Sequence, residues 1–507
     1  MNPEEKIQQS PEPYWRESVN IQSFPKVQED LTADIVIVGG GITGITAAYQ
    51  LTKQGKNVVL IEANQLFNGT TGHTTAKVTA QHGLIYDELI QHFGNEIAKL
   101  YYKANDEAIT FIKDTINSLG IECDLTEEDA YVYSTTEKYE KKIEKEYEAY
   151  KQLKIEGDLV EQLPIDLNIK NAVVMKNQAQ FHPLQYLTKL VEEITKNGGK
   201  IYGDTIATDI REGDQPQVQT RDGNTITCNT VLICSHFPFY DGMGLYFTKM
   251  YAERSYVLGA KTRKDYPGGM YLSAEDPTRS IRYTNTSNGK LILFGGDNHK
   301  TGQGKDTLEH YKALETFGEE VLGIEEVKYK WSAQDLITVD KVPYIGQHSS
   351  KKKNIYVATG YKKWGMTSST VAATLLTDLI IKKSSPYEEV FQPSRFVADP
   401  SIKHFIKENA DVARHLVKGK LEIPMKTPDD LRVDEGDVVN INGIRGGGYR
   451  DEDGKLHLVD TTCTHLGCEC EWNHGDRTWD CPCHGSRYSI NGDVIEGPAE
   501  KPLKRLD

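Results

Sequence analysis

Positive charge is in short supply in this chain. Its 59 lysines and arginines face 74 aspartates and glutamates, a formal net charge of -15 over 507 residues. Such a surface has no long-range pull on nucleic acid or anionic lipid, so neither is expected as a partner. Long apolar runs are missing too. The longest, such as Ile35–Val38 and Val231–Cys234, are strand-length, against the ~20 residues a membrane helix needs. The opening stretch MNPEEKIQQSPEPYW is polar and acidic, unlike a secretory leader. A cytoplasmic protein with no transmembrane segment is expected. No internal repeat and no low-complexity tract is seen, which excludes solenoids and linker-type chains. Cysteine is sparse over most of the sequence. Cys123, Cys228 and Cys234 are scattered, whereas Cys463, Cys468, Cys470, Cys481 and Cys483 crowd together. In a cytosolic chain that crowding argues for metal before a disulfide scaffold.

What is present reads as a multidomain globular protein, three or four domains at ~150 residues each. ADIVIVGGGITGITAAYQLTKQGKNVVLIEA (33–63) gives a strand (Asp34–Val38), a glycine turn, a helix (Ile42–Gln54) stopped by Gly55, and a strand (Asn57–Ile61). A β-α-β unit of this kind predicts a parallel sheet. Residues 84–155 look largely helical. Leu184–Lys196 is a helix and Lys200–Tyr202 a strand; Leu291–Phe294 and Asn354–Thr359 are further strands, the latter before a helix over Ser368–Ile381. The chain divides into four units: an extended arm (1–30), a body (31–385), a charged helical connector (386–420), and an all-β module (421–507) marked by dense Gly, Asp and Asn turns.

The turn at Gly39, Gly41, Ile42, Thr43 and Gly44 is a GxGxxG that follows a strand and opens a helix, with Glu62 ending the next strand. That context is what dinucleotide binding requires. Glycines let backbone N–H groups approach a pyrophosphate at the positive end of a helix, and Glu62 accepts from ribose hydroxyls. NIYVATGYKKWGMTSSTVAATLLTDLI (354–380), NGTTGHTTAKV (68–78) and VDKVPYIG (339–346) resemble the D-amino-acid oxidase/glycine oxidase family over about 31–385. The resemblance implies FAD. It implies a Rossmann-like α/β FAD-binding domain (31–83, 178–236, 335–385) with an α+β substrate domain (84–177, 237–334). By the same resemblance Thr70, Thr71, Thr74 and Thr75 cross the pyrophosphate and flavin. Ala207 meets adenine, and Trp364, Gly365, Met366 and Thr367 face the flavin pyrimidine, where a helix N-terminus favours the charge of the reduced ring. A second GxGxxG is lacking, which speaks against direct NAD(P)H oxidation.

The sequence also departs from that family. The slot that holds a substrate-binding arginine there is Asp335 here, which would repel an amino-acid carboxylate and suit a cationic amine. His73 stands where related dehydrogenases carry a histidine bonded covalently to FAD, although a noncovalent contact is the simpler reading. His182 and His236 are candidates for the pocket wall, although a satisfied structural histidine is the simpler reading of each.

CTHLGC (463–468) and CPCHGSRY (481–488) bring Cys463, His465, Cys481 and His484. Two cysteines and two histidines suit zinc or a Rieske [2Fe–2S] centre, in which two thiolates hold one iron and two imidazoles the other. The segments resemble cytochrome bc-type Rieske proteins over about 425–507, GDVIEGPAEKPL included. That resemblance implies a Cys468–Cys483 disulfide clamping the two loops, and hydroxyls of Ser486 and Tyr488 donating to cluster and cysteine sulfur. Neutral imidazole ligands raise the potential to roughly −150 to +300 mV, against about −400 mV for plant-type clusters. Cys470 has no place in the motif and reads as a packed side chain.

Together the motifs predict an FAD-dependent dehydrogenase of a small organic donor, an amine or another non-carboxylate. Its electrons pass singly through the cluster to an external acceptor, a protein or a quinone. Two alternatives are an oxidase that makes H2O2, and an electron-transfer or redox-sensing protein without its own organic substrate. No catalytic base is nominated.

Overall fold

The computed structural model describes residues 12–506 apart from 243, 350–351, 396–397 and 422–423. Residues 1–11 of the predicted arm lie outside the described residues. The rest of the arm is not simply extended: Tyr14–Glu17 form a helical turn. Trp15, fully buried, pins it by donating from Nε1 to the Thr74 carbonyl at 2.7 Å, with the Arg282 guanidinium over its ring. Truncating such a tryptophan costs about 3–5 kcal/mol, so the arm is part of the body.

The first sheet has eight strands among the described residues. Leu31–Val38 pairs in parallel with Val58–Ile61 on one side and Thr225–Ile233 on the other. Lys200–Tyr202 and Ile355–Thr359 extend it in parallel, and antiparallel Tyr344–Gln347 ends one edge. Apolar runs such as Ile35–Val38 form strands here because both faces are covered. Helix Ile42–Lys53 is buried along most of its length and packs on helix Gly365–Ile381. On its other side Gly44 lets the helix close on the preceding strand: a Cβ there would sit 2.0 Å from the Gly39 carbonyl oxygen. The crevice beyond the carboxyl ends of these strands is where such sheets bind ligands.

The second sheet has nine strands among the described residues, with Ile324–Thr338, Met250–Thr262, Gly289–Lys300 and Arg279–Thr286 side by side. The stretch read as helical over 84–155 contains helices Tyr86–Phe93, Asn95–Leu119 and Glu137–Leu153, but also strand Thr126–Ser134. That strand exists because it is paired on both sides, with Met270–Ser273 and Asn171–Gln180. Tertiary pairing overrides a weak local pattern.

Helix Ala398–Leu421 leads to the β module. Asn409 donates to the Thr248 carbonyl and Asp411 pairs with Lys300 at 2.7 Å, so the helix is docked on the body. Among the described residues the module has a three-stranded and a four-stranded antiparallel sheet and its own core, with Val459, Trp479, Tyr488 and Leu503. No helix among the described residues is long and apolar enough to cross a membrane.

Candidate active site and metal centre

A cavity of about 1210 Å³ runs from the glycine turn to the second sheet. Gly39, Gly41, Ile42 and Thr43 line it where the first helix begins, and Ala207 lines it beyond Glu62. Glu62 is oriented by two backbone donors, Gly40 N–H at 2.7 Å and Asn64 N–H at 3.1 Å; burial raises its pKa against those bonds. The carboxylate keeps lone pairs for ribose hydroxyls. Gly44 is not in the lining, because its task is the helix–strand contact. Thr71 Oγ1 accepts from Ile42 N–H at 3.0 Å, which lays the 68–78 segment across the helix end. Thr70, Thr71, His73, Thr74 and Thr75 all line the cavity. The ring of His73 is fixed by donation from Nδ1 to the Gly69 carbonyl at 2.9 Å. An elongated cavity with a glycine cradle at a helix end and a carboxylate beside it fits FAD.

Trp364, Gly365 and Met366 line the cavity as well. Thr367 does not: its hydroxyl bonds to the Thr79 carbonyl and to His82 Nε2, each at 3.0 Å, and so points into the core. His182 is another correction. It caps helix Pro183–Lys196, accepting from Gln185 N–H, bonds Ser18, and lies edge-on to Trp15. The satisfied structural role is the one it has. His236 does face the cavity, with Nε2 buried and unpartnered.

Asp335 lines the far end. It stands directly opposite Glu253 on the neighbouring strand, so the two carboxylates share a face. Burial and the Glu253 charge push Asp335 up to about 7 against the pull of Lys363. Lys363 in turn donates to Ser255 Oγ at 2.6 Å and pairs with Glu253 at 3.5 Å.

Sequence reading missed several lining residues. Glu253 and Lys363 carry no motif. Lys77 and Lys362 are half-buried amines in the cavity wall, their pKa values pushed down to about 7 and about 8 by desolvation. Arg16 of the arm lines the cavity with Nη1 buried and unpartnered. Glu496 to Glu500, with Pro502, come from the β module and wall the same space. Only pairing across the whole fold reveals these.

The metal loops are compact. The Sγ atoms of Cys463, Cys470 and Cys481 lie within 4.8 Å of one another, all buried. The His465 and His484 rings stand 4.9 Å apart at 89°, and the Nδ1 atom of each is buried without a hydrogen-bond partner. Two thiols and two orphaned imidazole nitrogens in one buried spot are the donor set of a Rieske cluster. Cys468 and Cys483 are joined by a disulfide that closes the loops over a separation of 15 residues. The Tyr488 hydroxyl lies 3.1 Å from Cys463 Sγ. Ser486 Oγ accepts from Ala499 N–H at 3.0 Å, which leaves its own hydrogen free to donate to sulfur. Cys470 is packed, but against both ligand thiols.

These two sites define a flavin enzyme with an iron–sulfur module. The model of the FAD dependent oxidoreductase family matches residues 34–379. The chain belongs to that family, and a Rieske [2Fe-2S] domain, matched over 422–507, is fused to it. Its cofactors are FAD and a [2Fe–2S] cluster. It is 57% identical over 499 residues to the Rieske 2Fe-2S iron-sulfur protein YhfW of Bacillus subtilis (strain 168), with 98% of each chain covered. It is 23% identical to gamma-glutamylputrescine oxidoreductase of Escherichia coli (strain K12), over 72% of this chain and 88% of that protein. Among solved structures, glycine oxidase from Geobacillus kaustophilus superposes with a TM-score of 0.61 at 17% identity, over 73% of this chain and 100% of that one.

Proposed function

We propose that the protein dehydrogenates a small cationic amine in the flavin cavity and delivers the electrons one at a time, through the Rieske cluster, to an external protein or quinone. When bound, FAD supplies two-electron chemistry and the cluster one-electron chemistry, with a potential raised by its imidazole ligands. The observation that carries the substrate reading is Asp335 paired across the strands with Glu253 at the cavity wall. An ammonium between them relieves their repulsion, and each charged hydrogen bond contributes about 1.5–3 kcal/mol. A carboxylate substrate would meet like charge there. The relative named for gamma-glutamylputrescine agrees with an amine donor.

The same reading assigns the site residues. Gly39, Gly41, Thr43, Glu62, the 70–75 segment and the turn at 364–366 hold FAD, while Cys463, Cys481, His465 and His484 hold the iron pair. The test is anaerobic bleaching of the flavin by a panel of primary and secondary amines against neutral amino acids. Bleaching by amines alone is expected; bleaching by neutral amino acids alone would refute the amine reading. Near-stoichiometric peroxide during turnover in air would favour an oxidase.

A further inference from the structure

We infer that the Rieske module is held stationary against the flavin cavity, and that Gln334 is the residue that positions it. The inference rests on the proposed transfer of electrons from flavin to cluster. Gln334 is 2% exposed, near the end of strand Ile324–Thr338 and next to Asp335. Its carbonyl accepts from Thr70 Oγ1 at 3.0 Å, on the segment that crosses the cavity. Its side-chain nitrogen donates to the carbonyl of Gly485 at 2.9 Å, and Gly485 directly follows the ligand His484. The side-chain oxygen accepts from Thr301 Oγ1 at 2.8 Å, which fixes the amide's orientation. One residue therefore ties the flavin-side segment to the second cluster loop.

The surroundings leave that loop no room to move. Gly485 has a φ of +80°, and a Cβ there would lie 2.5 Å from Ala252 Cβ and 2.7 Å from Gln334 Oε1. The loop is pressed flat on the second sheet. Beside it, fully buried Arg254 reaches Glu496 at 2.9 Å and flanks Asp476 and Asp480 at 4.0 and 3.7 Å. Arg487 completes the network, 2.6 Å from Asp476 and 2.9 Å from Asp480. The body adds hydrogen bonds to Asp476 from the hydroxyls of Ser332 and Tyr311. Separating the module would strip this network of partners, and a buried charge left unpaired is heavily penalised.

The imidazoles also turn towards the body. Phe237 and Phe247 meet His465 edge-on with centroids 6.3 and 6.2 Å away, and Phe247 meets His484 at 5.8 Å. Phe237 lines the flavin cavity too, so one ring spans the space between the two sites. With both cofactors bound, each transfer would carry one electron from reduced flavin to a ferric ion of the cluster, the accompanying flavin proton leaving to solvent on the cavity side, so that no atom crosses the junction.

The test uses the full chain with both cofactors. The flavin is reduced by light through a deazaflavin sensitiser and a sacrificial donor, and cluster reduction is followed by visible absorbance and EPR. The rate is expected to be unchanged as sucrose raises the viscosity. In Gln334→Leu it should fall roughly tenfold, about 1.4 kcal/mol on the barrier, with the cluster EPR signal, midpoint and flavin content of the parent. A rate falling in proportion to viscosity overturns the stationary junction, and a Gln334→Leu rate equal to the parent's overturns the role of Gln334. If that variant fails to assemble its cluster, the viscosity series on the parent decides. A parent cluster that never draws electrons from the flavin would instead defeat the proposed function.

Discussion

The proposed iron ligands come from one stretch of chain, 463–484, whereas the cavity that fits FAD is lined by residues from Glu12 to Pro502. In the cluster loops a disulfide and a few backbone bonds, such as Cys463 N–H to Cys468 O at 2.7 Å and Cys481 N–H to Ser486 O at 2.8 Å, set the donors. In the cavity two sheets, the arm and the β module must all be in place before Asp335, Glu253 and Glu496 converge. A site closed by local bonds fixes one chemistry. A site assembled by the fold can change its substrate by changing one wall, which is the role proposed for the carboxylate at Asp335.

The sharpest way to break this contrast is to remove an iron ligand. Cys481→Ala should abolish the cluster outright, read as iron content and loss of the Rieske EPR signal, while FAD stays bound. Loss of both cofactors would show that the two sites are not separable. Next in size is the join between them. Arg254→Met leaves Asp476, Asp480 and Glu496 short of a buried partner, and about 3–5 kcal/mol of stability should disappear in denaturant unfolding. The loops' own iron should survive in the native protein.

The cavity is then probed through its carboxylate. Asp335→Asn should weaken binding of a cationic amine by about 1.5–3 kcal/mol, roughly ten- to a hundredfold in Kd by flavin difference spectra. In the parent, Asp335 titrates near 7 and faces Lys363, Glu253, Arg254 and Glu496. It is neutral below that pH and charged above it, so amine affinity should rise as pH climbs through about 7. A flat profile there, for an amine that stays protonated, removes Asp335 from the site. The smallest effect is electronic: Tyr488→Phe deletes the donor 3.1 Å from Cys463 Sγ. A loss of about 1 kcal/mol from the reduced state lowers the midpoint by roughly 40 mV in voltammetry.

The same contrast explains what could be read beforehand. The Rieske module was legible because its cysteines and histidines sit in two short, closely spaced motifs. The glycine turn and Glu62 were visible because a β-α-β unit places them locally. Glu253 and Lys363 were not, since only strand pairing brings them to Asp335. Thr367 was assigned to the flavin through the family resemblance of its turn, and its hydroxyl bonds into the core instead. His182 was drawn in as a histidine near a loop, yet helix capping and Trp15 use it fully. The strand at Thr126–Ser134 lacked a pattern of its own and owes its form to its neighbours.

The wall built from Glu496 to Pro502 also bears on how the protein comes to be made. These residues leave the ribosome after every other part of the cavity wall. Until the iron-bearing module folds and seats itself, the nucleotide groove stays open on that side, and afterwards it is closed in. A wall supplied by the last stretch of the described chain makes completion of the flavin cavity depend on the seating of the β module.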